Sequence, residues 1–84
     1  MMVSIKEATG NAIAFAQESL GPERTFGVRL EEVDSTKVDG MDAWLITLSM
    51  PSTIPMLKRD YKSFTVLKHN GEVTSMKIRE LADA

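Results

Sequence analysis

The chain reads as a two-layer α+β roll, with one N-terminal helix packed on a four-stranded antiparallel sheet in the order 1-2-3-4. Three observations predict it. Ser4 to Leu20 carries apolar residues at helical spacing, and the remainder contains four runs in which apolar and polar residues alternate. Short connections separate those runs, which favours antiparallel neighbours in chain order. A sheet with one apolar face then needs one covering layer, and the helix supplies it. At 84 residues the chain holds one small domain, spanning 1–84.

The helix spans Ser4 to Leu20. Ser4-Ile5-Lys6-Glu7 is a capping box, in which the Ser4 hydroxyl accepts from the Glu7 N–H and Glu7 reaches back. Ile5, Ala8, Ala12, Phe15, Ala16 and Leu20 share one face, flanked by Ile13. The alanines make that face shallow, which suits close packing on a sheet. Gly21 stops the helix, and Pro22 prevents its continuation.

Four strands follow, at about 25–33, 43–50, 61–68 and 72–79. In the first, Phe26, Val28 and Leu30 alternate with Gly27, Arg29 and Glu31; Val33 breaks parity, so a bulge or strand end is expected near Glu32. Asp34 to Asp42 is a polar connection turning at Asp39-Gly40. The second strand, Ala43 to Met50, is the most apolar and is expected to be central, with Trp44, Ile46, Leu48 and Met50 on one face. Pro51 to Asp60 contains two prolines and is read as an interruption bearing the apolar residues Ile54, Met56 and Leu57. Glu80 to Ala84 is a polar tail.

The last two strands form a hairpin around Asn70-Gly71. A two-residue loop sets Phe64 opposite Lys77 and mixes core with charge on both faces. A three-residue loop, His69-Asn70-Gly71, pairs Lys68 with Glu72, Val66 with Thr74, Phe64 with Met76 and Lys62 with Ile78. It segregates the faces and places Gly71 in the left-handed region. The helix-covered face is therefore expected to hold Phe26, Val28, Leu30, Trp44, Ile46, Leu48, Phe64, Val66, Met76 and Ile78.

The order of helix, strand, Trp44-Leu45-Ile46-Thr47-Leu48, Tyr61-Lys62-Ser63-Phe64-Thr65-Val66 and Asn70-Gly71-Glu72-Val73 resembles PepSY-type domains and, more loosely, the cystatin-like helix-grip group. The resemblance covers most of the chain and implies a helix on a sheet. PepSY-type domains are usually extracytoplasmic modules that inhibit or bind other proteins. The resemblance supplies no catalytic residues.

Composition narrows the function classes. A hydrophobic fraction of 43% argues against disorder. The absence of cysteine excludes disulfides, a thiol nucleophile and thiolate metal sites, and fits a reducing compartment. Met1-Met2-Val3 does not open a signal peptide, and no stretch approaches a membrane span, so a cytoplasmic protein without membrane association is expected. The net charge of −2 is a poor footprint for nucleic acid. It divides into −4 over residues 1–42 and +2 over residues 43–84; ordinary solvated surface is the first expectation, and a mildly basic sheet face meeting an acidic partner is the sharper alternative.

Candidate chemistry is sparse. His69 is the only histidine and falls in a turn, so a solvated loop residue is the first expectation. The acids Glu31-Glu32 and Asp39/Asp42 are separated by strand alternation or flank a turn. Ser49, Ser52 and Ser63 lack a base brought near by any motif. Tyr61 with Lys58, Arg59 and Lys62 forms a small basic-aromatic patch, short of the stacking platform that single strands need. Trp44 either lines a small-ligand pocket between helix and sheet or packs with its N–H bonded at an edge, and packing is the commoner outcome.

No enzyme, metal or cofactor is therefore expected. The expected role is a protein-interaction module acting through the uncovered sheet face, which carries Leu45, Thr47, Tyr61, Thr65, Leu67 and Val73. Its simplest partner is a second copy in a homodimer. A small-ligand-binding or minimal enzyme domain of cystatin-like shape, with its site near Trp44, is one alternative. An accessory subunit of a larger assembly is the other.

Overall fold

Ser4 caps the first helix as its place before the apolar stripe requires. In a computed structural model of the chain, which describes residues 2–52 and 58–78, helix α1 runs Ile5–Leu20. The Ser4 Oγ accepts from the Glu7 N–H at 3.1 Å. The Glu7 carboxylate returns to that same hydroxyl at 3.5 Å and not to the Ser4 backbone. Gly21 ends the helix at φ +88°, its N–H donating to the Gln17 carbonyl. Pro22 does not send the chain into a loop. It opens a one-turn helix, α2 (Pro22–Thr25), as proline at a first helical position is suited to do.

Four strands follow: β1 (Arg29–Val38), β2 (Met41–Pro51), β3 (Arg59–Leu67) and β4 (Val73–Ile78). They form one antiparallel sheet in the order β1-β2-β3-β4, with α1 packed on one face. This is the architecture expected from the sequence. The first strand starts four residues later than expected and runs five further, because Asp39-Gly40 alone makes the turn. Val38 pairs with Met41, and both turn residues have positive φ, as a tight two-residue hairpin demands. β3 likewise starts two residues early, at Arg59. Ile54, Met56 and Leu57, Arg79 and the tail Glu80 to Ala84 lie outside the described residues.

Cross-strand partners share a face, so the register assigns every side chain. The helix side carries three rows that cross all four strands: Leu30, Leu48, Lys62 and Ile78; Val33, Ile46, Phe64 and Met76; Ser35, Trp44, Val66 and Val73; the pair Met50–Asp60 lies beyond the first and Lys37–Asp42 beyond the last. Ala8, Ala12 and Ala16 of α1 meet Ile46, Leu48, Met50, Phe64 and Val66 in a fully buried cluster. Phe15 adds an edge-to-face contact on Phe64, with ring centroids 6.3 Å apart.

Three expected core residues fall outside this cluster. Phe26 is 81% exposed, because α2 takes the chain that would have begun the strand. Leu30 and Ile78 stand on the two edge strands, at the ends of the last row that crosses all four strands, and are 46% and 75% exposed. Ile5, in the first turn of α1, is exposed as well.

The hairpin joining β3 to β4 has the expected Phe64–Met76 and Lys62–Ile78 pairs but a different turn. The Leu67 N–H donates to the Glu72 carbonyl at 2.9 Å, and the Gly71 N–H donates to the Leu67 carbonyl at 2.8 Å. Lys68 to Gly71 therefore forms a four-residue loop, with Gly71 at φ +76°. A bulge at Thr74 then restores the register: Val66 pairs with Val73, not Thr74, while Thr65 pairs with Ser75. The bulge turns Val73 onto the helix side, where it packs against the core instead of joining the open face. The other expected bulge, near Glu32, is present, with Glu31 as the extra residue.

The turn is held by the helix. Asn11 Nδ2 donates to the Gly71 carbonyl at 2.9 Å, and the Val3 N–H donates to the Lys68 carbonyl at 2.6 Å. A methyl at Gly71 would lie 2.7 Å from Asn11 Nδ2. Gly71→Ala is expected to destabilise by about 2–3 kcal/mol, combining left-handed strain with loss of the Asn11 bond. In the Asn11→Ala background the same change should cost less, leaving the strain and the 3.2 Å approach to Val3 Cγ1. By contrast, Gly10→Ala on the open side of α1 meets nothing within 4 Å and should stabilise by about 0.5–1 kcal/mol. Phe64→Ala should cost about 3–5 kcal/mol. Urea denaturation of each variant measures all four.

Candidate interaction surface

The face away from the helices is built from the complementary rows: Arg29, Ser49 and Tyr61; Glu32, Thr47, Ser63 and Lys77; Asp34, Leu45, Thr65 and Ser75; Thr36, Ala43 and Leu67. Five of the six residues predicted for an interaction face, Leu45, Thr47, Tyr61, Thr65 and Leu67, lie on it; Val73 does not. No described helix covers this face, yet Ala43, Thr47, Ser49, Thr65 and Leu67 are buried on it, Leu67 to 4% exposure. Of these, Ser49 is held between the Glu31 and Arg59 side chains. Leu45, Tyr61 and Ser63 are half-buried and form the reachable middle of the surface.

Hydroxyl groups are paired laterally. Thr47 Oγ1 and Ser63 Oγ lie 3.4 Å apart, and Ser75 Oγ donates to Thr65 Oγ1 at 3.0 Å. At the end nearest α2 a denser network ties three strands. Ser49 Oγ donates to Glu31 Oε2 at 2.6 Å and accepts from Arg59 Nε at 2.8 Å. Arg59 Nη2 reaches the Gly27 carbonyl at 2.7 Å and the Ser49 carbonyl at 3.0 Å. The bulge makes this possible. Glu31 and Glu32, expected on opposite faces by alternation, both stand on the open side, Glu31 on Ser49 and Glu32 beside Thr47.

Arg59 was hidden in the sequence because it follows the two-proline segment and reads as loop. The signal that finds it is parity counted back from Tyr61, which places it on the same face. The basic-aromatic patch is divided by the same parity. Tyr61 and Arg59 face outward, Lys62 turns to the helix side and is buried, and Lys58 is exposed before the strand.

On the opposite face, Trp44 sits where the N-terminal segment meets the sheet. Its Nε1 donates to the Val3 carbonyl at 3.2 Å. The Lys68 ammonium lies 3.9 Å from the ring centroid and donates to Ser35 Oγ at 3.0 Å. The indole thus has its N–H bonded at an edge, as the packing expectation requires, with a cation over its ring. His69 is exposed in the turn. Among the described residues no group of three or more His, Asp or Glu side chains is placed to hold a metal ion, and no helix is long and apolar enough to cross a membrane.

Comparison with protein-family models, curated proteins and solved structures finds no match to this chain. The likeness to PepSY-type and cystatin-like domains therefore rests on the order of elements and the short stretches that carry it.

Arg59→Ala is expected to cost about 1–3 kcal/mol, because its guanidinium serves three acceptors at once. Glu31→Gln should cost under about 1 kcal/mol, since an amide oxygen still accepts from Ser49. His69→Ala should stay within about 0.5 kcal/mol of the parent. Chemical denaturation ranks the three.

Proposed function

We propose that this chain is a non-enzymatic protein-interaction module that docks a partner on its open sheet face. One observation carries the reading. The sheet has a helical layer on one side, while the other leaves Leu45, Tyr61 and Ser63 half-buried and within reach, beside the hydroxyls of Thr47, Ser49 and Thr65, which are buried and hydrogen-bonded to neighbouring strands. Burying a hydroxyl is costly unless it is hydrogen-bonded. The Thr47–Ser63 and Thr65–Ser75 contacts remove that cost, so the surface can be covered without stranding donors. Tyr61 and Leu45 supply amphipathic and apolar contact area in its middle. The resemblance to PepSY-type modules, which bind or inhibit other proteins, agrees with this role. The engagement of Trp44 by Val3 and Lys68 favours a packing part for the indole over a ligand pocket there.

The test is affinity capture with the full chain and two variants. Tyr61→Ala/Leu45→Glu alters the reachable middle of the open face. Glu18→Lys alters the exposed side of α1. A partner retained by Glu18→Lys and lost, at least about tenfold in affinity, by the face variant is the expected outcome. Equal retention by both folded variants, checked by circular dichroism, would remove the open face as the docking surface.

A further inference from the structure

We draw no further inference here: the strongest candidate, the half-buried surface patch around Leu45 and Tyr61 in the middle of the open sheet face, belongs to the docking surface already described, and nothing in the structure shows what covers it.

Discussion

The close approach of α1 to the sheet is the constraint on which the rest of this structure depends. Ala8, Ala12 and Ala16 form a stripe with no side chain beyond Cβ, so the bulk of the core must come from the sheet. Phe64, Ile46, Leu48, Met50 and Val66 provide it, and Phe15 closes the side of the stripe against Phe64. A larger residue at any of the three alanines would lift the helix and open a gap around Phe64. In so small a domain one such loss is a large share of the total stability.

That approach also fixes the far end of the molecule. A helix held tightly to the sheet brings Val3, Asn11 and the β3–β4 turn together. Val3 bonds Lys68 through its backbone N–H and Trp44 through its carbonyl, while Asn11 bonds the Gly71 carbonyl. Four elements are joined there by hydrogen bonds that do not depend on any apolar contact. Gly71 is needed twice, for its positive φ and for the space that Asn11 occupies. The turn differs from the three-residue loop for the same reason. With Gly71 presented to the helix, the chain closes at Leu67 and Glu72, and the bulge at Thr74 absorbs the extra residue.

What was legible in the sequence had local causes. The Ser4 cap, the alanine stripe, the parity break near Glu32 and the Asp39-Gly40 turn each act over a few residues, and each is found in the structure. The Phe64–Met76 pair was legible because one slip would have put Lys77 in the core. What was hidden depended on distant partners or on competing local rules. Phe26 alternates correctly for a strand, but Pro22 starts a helical turn that reaches Thr25. Ile78 has the right parity, yet sits at the end of its row on an edge strand. Val73 was misplaced because a bulge leaves no mark when the residues around it are all β-prone. The open-face network of Glu31, Ser49 and Arg59 needed two such features at once, a bulge in β1 and an early start to β3.

The edges of the sheet carry features that oppose pairing with a further strand. An exposed edge strand invites addition of another strand, and natural sheets blunt their edges with bulges and charge. Both edges here are treated in that way: β1 carries the Glu31 bulge with Glu32, Asp34 and Lys37, and β4 is short, bulged at Thr74 and bears Lys77. Growth of the sheet sideways is thus disfavoured at both ends by the same residues that rim the open face. The protection is built from residues of the strands themselves and needs no covering element: each bulge leaves one residue without a cross-strand partner, and each charge would have to be desolvated for a new strand to add there.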